Sequence, residues 1–256
     1  MHYMMYTIFK VTLLLGVLNL VTACATVQTT NTSADIEITD PYESTNRSVY
    51  AFNEGLDRHI LKPVAIAYAG ITPDPVQAGV TNFFSNLGYL NVIVNTSLQG
   101  KLDQGLSDLF RFVFNSTIGV AGVFDIASGM GLVENKEDLG QTLAVWGSGQ
   151  GAYLTLPFFG PNTARDAPDL ISSTLLNPVT YMTAAVMWPA TALKIVNLRA
   201  NLLETSDILE TAATDPYSFT REAYLQQRRN LIYDGSPPES DSYNDIFEEE
   251  IDSGAF

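Results

Sequence analysis

Apolar residues recur at three- and four-residue spacing along most of the chain, which is the signature of amphipathic helices. Asp40-Pro41-Tyr42-Glu43 predicts a helix start, with Asp40 as N-cap, Pro41 at the first helical position and Glu43 as capping-box partner. Val49, Phe52, Leu56 and Ile60 then form one apolar face, and Pro63 is expected to break or kink the helix. Asp74-Pro75 repeats the start signal before Val76, Val80, Phe83, Phe84 and Leu87. Leu102, Leu106, Leu109, Phe110 and Val113 mark a further helix over 102–114. A weaker pattern covers 166–175, and a long helix with a break near Pro189 is expected over 183–210. Asp215-Pro216 opens the last helix, 217–233, with Phe219, Ala223, Leu225 and Ile232 apolar and Arg221, Arg228 and Arg229 expected at the surface. Alternation at period two is confined to one short candidate strand within 153–159, and there is no internal repeat. The fold class is therefore mainly α.

Three long stretches carry no Asp, Glu, Lys or Arg: 75–100, 139–164 and 170–193. The first is interrupted by Asn82, Asn86, Gly88, Asn91 and Asn95, the second by Gly147, Gly149, Gly151, Pro157, Gly160 and Pro161, the third by Pro178 and Pro189. Polar amides and broken backbone facing lipid are costly unless protein satisfies them. These segments read as short, apolar-faced helices and turns rather than spanning helices. They suit either a packed soluble core or a monotopic protein lying within one leaflet. Charged residues are 16% of the chain, against roughly 25% in a typical soluble domain, which favours the second.

The N-terminus sharpens this. Lys10 precedes a short apolar run ending at Val21-Thr22-Ala23-Cys24. A basic residue followed by 7–15 apolar positions is a secretory signal, and the cleavage region resembles a lipobox. Cys24 is the single cysteine of the chain, and it stands where lipid would be attached. Ala25 rather than Asp follows, which implies sorting to the outer membrane, with the domain on its periplasmic side. The expected organisation is a signal peptide over 1–23, a Thr/Asn/Ser-rich leash over 24–39, a helical domain over 40–233, and an acidic, disordered tail over 234–256. The net charge is −15. Such an excess of acid argues against nucleic-acid binding, whose affinity rests on Lys and Arg.

Catalytic chemistry is sparse. Beyond the signal the chain has one histidine, His59, and no cysteine but Cys24, which excludes metal sites built from several His or Cys ligands. The G-x-S-x-G nucleophile elbow is missing. Gly147-Ser148-Gly149-Gln150-Gly151-Ala152 matches a dinucleotide fingerprint in letters, but Tyr153-Leu-Thr-Leu-Pro157 follows where a helix is required. Those glycines fit a turn or a close backbone approach. No enzyme activity, cofactor or metal is expected, only covalent lipid on Cys24.

Several blocks resemble the MlaA (VacJ) lipoprotein family. They include Asp40-Pro41-Tyr42-Glu43-Ser44-Thr45-Asn46-Arg47, Tyr50-Ala51-Phe52-Asn53, Val80-Thr81-Asn82-Phe83-Phe84-Ser85-Asn86-Leu87, Asn95-Thr96-Ser97-Leu98-Gln99-Gly100 and Arg111-Phe112-Val113-Phe114-Asn115. Asp138-Leu139-Gly140-Gln141, Tyr153-Leu154-Thr155-Leu156-Pro157-Phe158-Phe159-Gly160-Pro161 and Asp215-Pro216-Tyr217 continue the match, which spans 40 to about 233. The resemblance implies a ring of short amphipathic helices around a central channel, monotopic in the inner leaflet of the outer membrane. It implies association with a trimeric outer-membrane porin and removal of mislocalised phospholipid from the outer leaflet. The lipid would pass to a periplasmic carrier, so that outer-membrane asymmetry is maintained. On that reading Phe52 and Asn53 border the channel and affect gating. Asn82, Asn86 and Asn95 either line the channel or serve helix caps and turns. Arg47 and Arg111 form structural ion pairs or meet a lipid head group. Phe83, Phe84, Phe112 and Phe114 are expected in the core in preference to contact with lipid tails. Two rivals stand beside this: a structural outer-membrane tether without a lipid path, and a carboxylate-dependent enzyme acting on lipid or cell wall.

Overall fold

The structure is a computed structural model, and it describes residues 40–206 and 213–238. The signal peptide, Cys24, the leash and the tail beyond Pro238 lie outside the described residues.

The described chain is mainly helical, as the periodicity predicts. Helix α1 spans Glu43–Leu56. Its start lies later than the capping signal suggested, because Asp40 is committed elsewhere. The Asp40 carboxylate accepts from the Tyr42 amide (3.3 Å), the Asn46 side chain (2.8 Å) and the Tyr217 hydroxyl, and thereby ties the entry of the domain to its last helix. A π-helical turn, Asp57–Leu61, leads into α2, Lys62–Ile71. The Lys62 amide donates to the Asp57 carbonyl five residues back. One extra residue in the turn makes room for the Pro63 ring, so the helix runs through the proline instead of breaking.

Helix α3, Asp74–Leu98, is the largest departure from the sequence reading. The charge-free stretch expected as short helices and turns is one helix of 25 residues, about 37 Å long. Its asparagines do not interrupt it, because each has a side-chain bond to a residue outside the helix that holds it in place. Gly100, in the left-handed region at φ 78°, turns the chain into α4, Leu102–Thr117, which packs along α3 as a helical hairpin. The one-turn helix α5 (Ile126–Gly129) and α6 (Leu139–Val145) follow, each capped by an aspartate, Asp125 and Asp138.

Strands β1 (Tyr153–Leu156) and β2 (Gly160–Thr163) form an antiparallel hairpin. One strand was expected; the second is concealed by its Gly-Pro-Asn-Thr sequence, in which three of the four residues are depleted in strands. Helix α7 (Asp169–Leu175) and a 3-10 turn (Pro178–Tyr181) lead to α8, Ala184–Asn201. Pro189 lies inside α8 without ending it; the helix is interrupted at Leu202, residues 203–206 are helical again, and the remainder of the expected helix lies outside the described residues. Helix α9, Pro216–Ile232, is capped by Asp215, whose side chain accepts from the Tyr217 amide. It closes in a Schellman arrangement: the Gly235 amide donates to Asn230 O (2.8 Å) and Asp234 takes a positive φ. Asp234 also pairs with Lys101 at 2.6 Å, so the first tail residue belongs to the folded domain.

Helix α3 is the central element, in contact with α4, α6, α7 and α8. Helix α2 packs on α8, α1 on β1, and α9 on α6 and β2. Among the described residues no helix is long and apolar enough to cross a membrane.

Candidate functional site

The helices are turned inside out relative to a water-soluble domain. On α4 the buried residues are Gly105, Asp108, Arg111 and Asn115, while Leu102, Leu106, Leu109, Phe110 and Val113 are exposed. On α8 the buried residues are Asn197, Arg199 and Ala200, and Val186, Trp188, Leu193, Ile195 and Leu198 face outward. Among the described residues 19 buried side chains are polar or charged and nine are apolar. Soluble domains show the reverse, since apolar residues are those usually buried and charged ones almost never. The five-residue stripe on α4 was legible in the sequence, but its direction was not: it faces away from the protein. Of the four phenylalanines expected in the core, Phe84 is buried, with Phe83 edge-on to it at 5.1 Å, while Phe83, Phe112 and Phe114 are half-exposed.

Three polar clusters hold the interior. In the first, Arg111 forks onto Asp125 (3.1 and 3.0 Å), donates to Ser128 Oγ (3.0 Å) and the Leu132 carbonyl, and lies over the Tyr89 ring. Asn115 donates to Asp125 (3.0 Å) and accepts from the Ala127 amide (2.9 Å). Burial works against the Asp125 carboxylate. Donation from the Ser128 hydroxyl and amide, from Asn115 and from Arg111 outweighs it and holds the pKa down at about 2.

The second cluster runs along α3. Asn82 donates to the Val123 carbonyl (3.2 Å), in the turn that follows α4, and Asn86 to Ser116 Oγ (2.8 Å), in the last turn of α4. Asn91 donates to Asp169 (3.1 Å) and accepts from Ser172 (2.9 Å). Asn95, fully buried, donates to the Asn91 carbonyl (2.9 Å) and accepts from Thr142 Oγ1 (2.9 Å). Each asparagine thus pins α3 to a different neighbour. They serve neither caps nor turns, and Asn82, Asn86 and Asn95 do not converge on one point.

The third cluster was missed in the sequence. Arg228 is buried, not exposed, and binds both Asp138 and Asp166. Tyr224 donates to Asp166 at 3.0 Å. Burial opposes the charge on Asp138, but Arg228 outweighs it and lowers the pKa. A Cβ on Gly140 would sit 2.7 Å from Arg228 Nη2, so only glycine fits. The signal lay in the spacing Tyr217, Arg221, Tyr224, Arg228, a helical face made of aromatic and basic residues. An apolar periodicity search passes over it.

The remaining candidates sit at the entry of the domain. Arg47 pairs with Glu43 (2.7 Å) and Asp215 (2.7 Å) and covers the Tyr217 ring at 4.4 Å. Phe52 is exposed, edge-on to Phe158 at 5.5 Å. Asn53 donates to the Leu156 carbonyl (3.0 Å) and accepts from the Phe158 amide (2.9 Å). It therefore latches the hairpin turn, where Phe158 holds a positive φ of 68° and presents its ring outward beside Phe159. His59 is exposed and its Nδ1 contacts the Gly55 carbonyl, within the π-helical turn. Gly147 and Gly151 take positive φ in the turn before β1, consistent with their sequence reading. No group of three or more His, Cys, Asp or Glu side chains that could hold a metal occurs among the described residues.

Comparison with known proteins agrees with this architecture. A family model described as MlaA lipoprotein matches residues 38–231. The chain is 36% identical over 207 residues to the intermembrane phospholipid transport system lipoprotein MlaA of Shigella flexneri, covering 77% of this chain and 79% of that one. It is 27% identical over 247 residues to the protein so named in Haemophilus influenzae, covering 94% and 98%. It is also 40% identical over 204 residues to an uncharacterized protein of Rickettsia felis, covering 79% and 81%. A solved structure from work on the "structural basis for maintenance of bacterial outer membrane lipid asymmetry" superposes with TM-score 0.67 at 33% identity, covering 76% of this chain and 99% of that one. A long central helix, outward apolar faces and a polar interior thus come with a sequence match over most of the chain: it belongs to the MlaA lipoprotein family.

Proposed function

We propose that this chain is a lipid-anchored outer-membrane protein of intermembrane phospholipid transport. It takes mislocalised phospholipid from the outer leaflet and delivers it toward the periplasm, and so maintains lipid asymmetry. The observation that carries this reading is the inverted distribution of polarity. Helices with apolar residues outward and asparagine, arginine and aspartate inward are stable where the surroundings are hydrocarbon. There, interior hydrogen bonds hold helices together and the hydrophobic effect does not. With no helix able to span among the described residues, the domain would lie within one leaflet, held there by its outer faces and by lipid on Cys24.

The finer parts of the reading are a central channel, docking on a trimeric porin and hand-over to a soluble periplasmic carrier. Porin and leaflet would share the exposed apolar faces. The channel would carry a charged head through a low-dielectric layer, which requires polar groups along its wall. No bond is made or broken in such a step. The protein supplies a route, and an external source supplies the work.

The test is the amount of phospholipid in the outer leaflet of a strain lacking this gene, read by a phospholipase added outside intact cells. Accumulation is expected, reversed by the intact gene and not by a Cys24→Ala variant. Normal levels in the deletion strain would overturn the transport reading and leave a structural tether.

A further inference from the structure

A cavity of about 370 Å³ opens between α3, the loop before α6 and the end of α9. That volume lies in the range of small-molecule sites, roughly 300–1,000 Å³. Val92 and Leu231 give it apolar walls, and Tyr89 and Ser85 bring hydroxyls from one face of α3. Tyr89 is buried, with its hydroxyl near the Asn135 backbone and Arg111 but making no hydrogen bond of normal geometry to a described residue. A buried donor left in this state is costly, and such groups in a cavity mark a place for an acceptor. Burial pushes the Tyr89 pKa up to about 12, so the proton stays available for donation.

The charges around the opening are of two kinds. Glu137 is committed to Lys101, Gln99 and Gln104, and Asp138 to Arg228. Glu134 and Lys136, by contrast, are exposed on either side of Asn135 and form no ion pair with any described residue. The cavity therefore offers one uncommitted anion and one uncommitted cation two residues apart. Beside them are two hydroxyls, one of them deep and unsatisfied.

We propose that this cavity receives an ammonium-bearing, zwitterionic phospholipid head group, with the ammonium at Glu134 and the phosphate at Lys136 and the hydroxyls of Tyr89 and Ser85. That the head group belongs to a lipid rests on the transport reading; the charge pattern itself asks only for an ammonium joined to a phosphate. Carboxylates outnumber cations around the site, because Glu137 and Asp138 stand behind Glu134. A head group with net negative charge is therefore disfavoured.

The experiment titrates the purified full-length chain in non-ionic detergent with glycerophosphoethanolamine and with glycerophosphoglycerol, then with the matching short-chain diacyl lipids. The wild type is expected to bind the ethanolamine form at least tenfold more tightly in both series. Glu134→Gln should erase that preference, while Lys136→Gln weakens both ligands; both residues are exposed, so an unchanged melting curve is expected. Equal binding of the two head groups by the wild type, or an undiminished preference in Glu134→Gln, overturns the proposal. Binding of the soluble phosphodiesters without the diacyl lipids also overturns it, in favour of a free phosphodiester ligand. Outer-leaflet phospholipid in the deletion strain separates the two readings. Accumulation there with no head-group preference in vitro refutes the cavity assignment alone. A preference in vitro without accumulation refutes the transport reading alone.

Discussion

If the outer face of α4 lies in hydrocarbon, replacing its leucines should weaken membrane binding while leaving the fold intact. Leu102, Leu106, Leu109, Phe110 and Val113 together expose the equivalent of about two and a half side chains. At ~1.5–3 kcal/mol per side chain moved out of water, the face contributes roughly 4–8 kcal/mol. That is comparable with the affinity of one acyl chain, whose partition constant is about 10⁴ M⁻¹. A Cys24→Ala chain, lacking its lipid, should therefore still float with phospholipid vesicles. Leu106 and Leu109 account for about one side chain of that exposure, so the double change Leu106→Ser and Leu109→Ser removes ~1.5–3 kcal/mol. Partitioning should fall roughly 10- to 150-fold, since 1.4 kcal/mol is tenfold. Exposed substitutions change folding stability by only about 0.5 kcal/mol, so melting in detergent should stay within that margin. Unchanged flotation of the double variant, with melting also unchanged, would show that this face does not meet lipid.

Further outcomes follow from the interior. Arg228→Met leaves Asp138 without its cation and Asp166 with Arg165 alone, and should cost about 3–5 kcal/mol in detergent unfolding; a smaller loss would mean that water reaches this cluster. Gly122→Ala should lower the melting temperature by an amount corresponding to at least ~1–3 kcal/mol, because Gly122 has φ 90° and a Cβ there would stand 2.7 Å from Asn86 Cγ. Asp125→Asn should destabilise at neutral pH. The folded pKa of about 2 lies below the ordinary 3.8, so the contribution is complete above about 4 and fades as pH falls toward 2. Wild type and variant melting temperatures should then converge across that window. Asn53→Ala should loosen the hairpin turn, read as faster hydrogen exchange at the Phe158 amide.

How much of this the sequence disclosed depended on whether the signal was local. The helix start at Asp215-Pro216 and the apolar stripe of α4 were legible because each is written in consecutive or helically spaced residues. The continuity of α3 was not. Asn82, Asn86, Gly88 and Asn91 lower helix propensity wherever they stand, and only the neighbours that receive their side chains override that preference. The same holds for Pro63, tolerated because five residues before it wind as a π turn. Arg228 was misplaced for a related reason. A surface position is the usual fate of arginine, and its two aspartates lie 90 and 62 residues away. Of the candidate site, the individual residues were visible, but which of them meet was not. Arg47 and Asp215 are 168 residues apart, and Asn53 meets a hairpin about a hundred residues on.

The inverted polarity also bears on how the molecule reaches its destination. A folded domain with leucine, phenylalanine and tryptophan over its outside is insoluble cargo in an aqueous compartment, whatever its thermodynamic stability. Two such copies meeting in water would bury their oily sides against each other, and the polar interior offers no penalty to stop them. Delivery is then as much a part of making this protein as folding is: any escort must cover the outer faces of α4 and α8 until hydrocarbon replaces it. Variants that trap the chain in transit should accordingly be lost to aggregation and proteolysis, not to unfolding.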